Sequence, residues 1–222
     1  MTWGQPVKPE EEIFRHLNDW RKLPGYQTER RADLFFTVYL GEVLDRYVAP
    51  VNRHIVPEFP LRKAESNRSY KADYVMCTKE CQKLLLIELK TDMGSMRIDQ
   101  VRYLAKAARK QPSELLADIG KISSATRERA KYERLRLLLT DLGMQLEPAG
   151  IAGECRPQST ELVFLLPQKR LPDKIKREID SFRVPYHLVG FDEFAAIVDR
   201  RDDDLSSRFA SSLRLWAGSP PK

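Results

Sequence analysis

The chain has 222 residues, 42% of them apolar and 32% charged, and its 38 Lys and Arg outnumber 32 Asp and Glu for a net charge of +6. That size suits one α/β domain with additions and crowds out two full domains, while three cysteines exclude a disulfide framework. No apolar run approaches the roughly 20 residues of a membrane span, and none follows the early Lys8, so the expectation is a soluble, cytoplasmic protein.

Residues 9–22 open with Pro9 and three glutamates, which suit a helix N-terminus, and Ile13, Leu17 and Trp20 recur at helical spacing. After the Leu23-Pro24-Gly25 break a longer helix is expected over 30–48, with Ala32, Phe35, Phe36, Tyr39, Val43 and Tyr47 as its apolar face. Glu42 sits at the margin of that face, either aimed at a sheet edge or held in a boundary salt bridge. Pro57 and Pro60 make residues 55–61 an edge strand, since proline cannot donate to an inner ladder. In the basic loop that follows, Arg62, Lys63 and Arg68 could touch phosphate or serve solubility alone.

Residues 70–91 read as a β-hairpin with charges where a buried strand should have none. Tyr70, Tyr74, Val75 and Met76 form one arm, Leu84 to Leu89 the other, and residues 79–82 the loop. Alternation puts Glu88 and Lys90 on one face with Leu84 and Leu86. If Thr78 closes the loop opposite Lys83, Asp73 falls across from Glu88, and two carboxylates so opposed need a cation between them. A hard divalent ion meets that need with oxygen ligands. Cys77 and Cys81, four apart at the hairpin tip, are half of a zinc ligand set, but no His or Cys follows at ligand spacing, so bystander thiols are expected.

Asp73, a 14-residue gap and Glu88-Leu89-Lys90 resemble the signature of the PD-(D/E)xK, or restriction-endonuclease-like, nuclease superfamily, with Ala72 where the pattern often has proline. The triplet is the one acidic-x-Lys in the chain and ends its most strand-like segment. The resemblance implies a nuclease that takes Mg²⁺, or Mn²⁺ in its place, on Asp73, Glu88 and the Leu89 carbonyl. It further implies an acid from the preceding helix, a place Glu42 matches by order and orientation, and a role for Lys90 in stabilising transition-state charge or orienting the water.

The turn at 91–95 leads to a helix over 96–111 whose core face is Ile98, Val101, Leu104, Ala105 and Ala108. Arg102, Lys106 and Arg109 form a basic stripe on another face. Gln100 lies between the two. Family members related to recombination exonucleases carry a Gln and a Tyr four apart here; Gln100 and Tyr103 are three apart and depart from that pattern, and Gln100 is kept only as a candidate for holding the attacking water or a phosphate. Helices are expected over 113–122 and 125–143, the second with Arg127, Lys131 and Arg134 as another stripe. Residues 97–136 hold 11 Lys and Arg against 5 Asp and Glu, so this segment carries the whole net charge and favours a polyanion, which in the nuclease reading is nucleic acid, DNA before RNA. A solvated helix face is the competing account of each stripe.

A loop is expected over 144–159, then strand 161–166, helix 172–182, strand 186–189 and helix 191–199. The tail 202–216 spaces Leu205, Phe209, Leu213 and Trp216 as a helix that could dock on its own domain or pair with a second copy in a homodimer. The expected architecture is α/β: a central mixed sheet with an antiparallel hairpin at its core and helices on both faces, restriction-endonuclease-like. It forms one domain over 1–222, with a core of about 30–110 and 159–200 and a helical insertion at about 112–145. His16, His54 and His187 are isolated, so no His-based triad is suggested. The reading is a Mg²⁺-dependent phosphodiesterase. A noncatalytic nucleic-acid-binding module of the same fold, or a scaffold that keeps Asp73, Glu88 and Lys90 as an ion-paired cluster, are the alternatives.

Overall fold

The computed structural model describes residues 8–23, 27–63, 69–147 and 150–218. Its centre is a five-stranded mixed sheet in the order β1-β2-β3-β6-β7, built from β1 (Val56–Arg62), β2 (Ser69–Cys77), β3 (Lys83–Leu89), β6 (Ser159–Leu166) and β7 (Tyr186–Gly190). Two further short strands, β4 (Gln145–Glu147) and β5 (Gly150–Ala152), pair with each other where a plain loop was expected. Three residues per strand are too few to leave a period in the sequence.

The proline-bearing β1 lies at the sheet edge, as its missing donors require. β1–β2 and β2–β3 are antiparallel, whereas β3–β6 and β6–β7 are parallel. In the hairpin Tyr74 faces Ile87 and Cys77 faces Leu84, and the Thr78 amide donates to the Lys83 carbonyl at 3.0 Å. This is the register expected from the four-residue loop, and its continuation brings Asp73 level with Glu88.

Alternation along β3 divides the core between two layers. Leu84 and Leu86 pack with α3 (Ile98–Ala108), α4 (Pro112–Ala125) and α6 (Asp173–Ser181), through Val101, Leu104, Leu115, Ile119, Ile175 and Ile179. Leu85, Ile87 and Leu89 pack with α1 (Pro9–Trp20), α2 (Thr28–Tyr47), α7 (Phe191–Val198) and α8 (Asp204–Ala217). Burying a Leu or Phe side chain contributes about 1.5–3 kcal/mol, so the two layers dominate stability. α5 (Arg129–Asp141) is more peripheral, with Leu139 its buried residue.

One helical face and one helix start differ from expectation, and the C-terminal helix takes one of the two courses left open. In α1 Phe14 and Leu17 are buried, while Ile13 and Trp20 are over 40% exposed. α2 begins at Thr28, two residues before the expected start, which brings Glu29 into its first turn where a carboxylate suits the helix dipole. α8 starts behind Asp203, whose side chain caps the Ser206 amide, and its Phe209, Leu213 and Trp216 are buried against α1 and α7. The face that could have served a second copy is therefore taken up by the chain's own core. Among the described residues no helix is long and apolar enough to cross a membrane.

Candidate metal centre

At the C-terminal end of β3 three carboxylates converge, because two strands and a helix N-terminus meet there. Glu88, on the Leu84–Leu86 face, is 2% exposed. Asp73 comes from β2, and its Oδ2 accepts the Leu89 amide at 2.7 Å. The third is Glu29, from the first turn of α2. One oxygen from each of Glu29, Asp73 and Glu88 lies within 4.8 Å of the others.

Lys90 shares the Glu88 face, as the two-residue spacing predicts. Its Nζ lies 2.7 Å from Glu88 Oε1 and 3.1 Å from Glu29 Oε1, and it donates to the Leu89 carbonyl at 3.0 Å. The Gln100 amide also donates to Glu88 Oε1. Glu88 Oε2 is buried without any hydrogen-bond partner. An orphaned carboxylate oxygen in such a place costs about 1–3 kcal/mol or more, and a bound cation would remove that penalty.

The titration directions express the same frustration. Burial pushes Glu29, Asp73 and Glu88 upward, Glu88 well above the ordinary carboxylate range, with the neighbouring Asp73 adding to the effect on Glu88. Burial works against the Lys90 ammonium, but Glu88, Glu29 and Asp73 outweigh it and hold its pKa above the usual lysine value. Lys90 therefore keeps its proton. With all three acids ionised the four side chains carry a net charge of −2, which one divalent cation balances. The donors are oxygens, the set that Mg²⁺ and Mn²⁺ prefer, so the residues fit such an ion.

Glu42, expected to complete the set, does not. It is bonded to Arg201 at 2.6 Å and lies 13 residues, about 20 Å of helix, beyond Glu29. The N-terminus of α2, not its middle, reaches the end of β3. Glu29 was invisible as a candidate because it fell just outside the expected helix and had nothing to set it apart from other acids.

A cleft of about 1020 Å³ opens over this cluster, lined by Glu29, Lys90 and Gln100, with Asp73 and Glu88 behind them. Its walls carry Arg21, Lys22, Arg30 and Arg97, together with Tyr70 and Tyr103. The two tyrosine rings stack at 4.0 Å, and the Tyr103 hydroxyl donates to the Lys71 carbonyl. None of the basic residues proposed from helical stripes lines this cleft. Arg102 is turned to α6, its Nε 2.6 Å from Glu178 Oε1. Lys131 pairs with Glu128, and Lys106, Arg109, Arg127 and Arg134 are exposed elsewhere. Of the earlier loop, Arg62 faces Asp118 at 3.8 Å, Lys63 lies over the Tyr70 ring, and Arg68 lies outside the described residues. The cleft cations were missed because Arg21-Lys22, Arg30 and Arg97 come from three separate stretches of chain and form no stripe in any one of them.

Compared with protein-family models, curated proteins and solved structures, the chain matches none.

Proposed function

We propose that this chain is a metal-dependent phosphodiesterase of the restriction-endonuclease-like kind, acting on nucleic acid and on DNA first. The observation that carries the reading is Glu88: a buried carboxylate with one oxygen unpartnered, held beside two more carboxylates and a lysine at the floor of a cation-walled cleft. A chain with no use for a cation has little physical reason to keep that set, because breaking even charge balance in a buried site costs several kcal/mol.

A divalent ion on Asp73, Glu88 and Glu29, with the Leu89 carbonyl adjacent, would supply Lewis-acid charge at a phosphate and an activated water. Lys90, whose ammonium the three carboxylates favour, would offer positive charge to the phosphoryl oxygens as negative charge builds. Gln100, which donates to Glu88, would hold the attacking water or a phosphate. Arg21, Lys22, Arg30 and Arg97 would meet the phosphate backbone, where such contacts set position and affinity.

Calorimetric titration with Mg²⁺ and Mn²⁺, paired with cleavage of single-stranded, duplex and branched DNA, tests the reading. The wild type should bind and cleave, and Asp73→Ala and Glu88→Ala should do neither. Absence of both binding and cleavage at millimolar metal with DNA present removes the enzyme class. A second reading rests on Lys90, whose contacts with Glu88, Glu29 and the Leu89 carbonyl would also suit an internally balanced scaffold.

A further inference from the structure

The fold brings together the three cysteines that the sequence left scattered. The Sγ atoms of Cys77, Cys81 and Cys155 all lie within 4.8 Å of one another, and the Cys155 thiol donates to Cys77 Sγ at 3.2 Å. Cys77 ends β2 and Cys81 lies in the hairpin loop, while Cys155 arrives from the segment before β6, 78 residues after Cys77. We propose that these three thiols form a second metal site, for one soft divalent cation of the Zn²⁺ class, separate from the carboxylate centre.

The spacing favours a metal over a disulfide. Three thiolates about 2.3 Å from a tetrahedral ion stand roughly 3.8 Å apart. The Cys77–Cys155 pair has to open by about 0.6 Å to reach that separation, whereas a disulfide needs it to close by about 1.1 Å, to about 2.05 Å. A disulfide would also leave the third sulfur with no part in the cluster.

Each arm of the cluster is held by backbone. The Thr78 hydroxyl accepts the Gln82 and Lys83 amides, and the Cys81 amide donates to the Thr78 carbonyl at 2.8 Å. Cys81 itself adopts a left-handed φ of 55°, a conformation rarely taken by a residue other than glycine, asparagine or aspartate. The Cys155 amide donates to the Gly143 carbonyl at 3.0 Å, and Gly153 at φ 103° passes so close that a Cβ there would stand 2.4 Å from that carbonyl. The Gln158 amide then ties this segment to the Gln82 carbonyl at 2.7 Å.

Two sulfurs are buried and Cys81 is partly exposed at a surface depression of about 450 Å³, which gives the ion an entry path and leaves a fourth position facing solvent. On binding, each thiol releases its proton to solvent and the three thiolates leave a net charge of −1. Lys83 and Arg156 line the same depression and are balanced by Glu80 and Glu154, so the −1 charge of the loaded site faces solvent. The ion would pin the tip of the hairpin to the segment that joins the helical insertion to β6. The opposite end of that hairpin carries Asp73 and Glu88.

Titrating the full-length, reduced, metal-free protein with Co²⁺ tests this. One equivalent should bind with thiolate-to-cobalt charge-transfer absorption in the near ultraviolet and with the visible bands of a tetrahedral ion. Zn²⁺ should displace the Co²⁺, raise Tm where Mg²⁺ at the same level does not, and slow alkylation of Cys81. Cys81→Ala, at the least buried position, should fold and lose the absorption, whereas Glu88→Gln should keep it, so failure here is distinct from failure of the carboxylate site. No charge-transfer band in the reduced wild type overturns the proposal. An undiminished band in Cys81→Ala, or a Cys77–Cys155 disulfide formed in air by a protein that never takes metal when reduced, does so as well.

Discussion

Replacing Lys90 by alanine removes the one ammonium placed between Glu88 and Glu29. The Glu88 contact is the larger loss, because its side chain is 2% exposed whereas Glu29 is 31% exposed and partly solvated. Stranding a buried partner costs about 3–5 kcal/mol. For a chain of this length each kcal/mol shifts Tm by about 2–4 °C, so a drop of about 6–20 °C is expected in chelator. The substitution also changes the site's charge from −2 to −3, which must tighten its grip on a divalent cation. Since a ligand stabilises the state it binds, each tenfold gain in affinity narrows the gap between mutant and wild type by about 1.4 kcal/mol at saturating metal. Thermal melts of both proteins in chelator and in excess Mg²⁺ or Mn²⁺ measure this gap. Cleavage should fall by about 10²–10³ with metal binding intact, as for loss of one electrostatic contributor to a transition state. An equal loss of stability with and without metal, in proteins whose Tm the metal never moves, refutes the metal centre and favours an internally balanced scaffold.

Glu29→Gln should weaken Mg²⁺ binding measurably by calorimetry, whereas Glu42→Gln should leave it unchanged, because only the first reaches the cluster. The pH dependence of the metal-free protein follows from the upward shifts of Glu88, Glu29 and Asp73. A folded value above the unfolded one means the native state binds more protons, so these groups add stability as pH falls through the raised values toward about 4, and withdraw it as pH rises. Chelator melts across that range should show this gain, and saturating Mg²⁺ should flatten it. Converting Lys22, Arg30 and Arg97 to Gln should reduce the log-log salt dependence of duplex binding by about 0.9 per lost phosphate contact. The same change at Arg102, Lys106 and Arg109 should alter it less, a contrast that filter-binding across a salt series would expose.

Much of the sheet was legible locally. Alternation along Leu84–Lys90 put Glu88 and Lys90 on one face, the four-residue loop set the hairpin register, and two prolines sent β1 to the edge. These features depend on side chains a few residues apart, where backbone geometry alone decides which face each one takes. The mixed sheet between helical layers followed from the order of the elements. What completes each site depends instead on the angle at which one element crosses another. α2 lies so that its first turn meets the end of β3, which selects Glu29, 44 residues before Asp73, and sends Glu42 to Arg201. Likewise the segment after β5 brings Cys155 to Cys77, and the cleft draws its cations from α2 and from the connections after α1 and before α3. No period or spacing encodes such meetings. They arise from packing two apolar layers onto one sheet, and only the folded chain has that geometry.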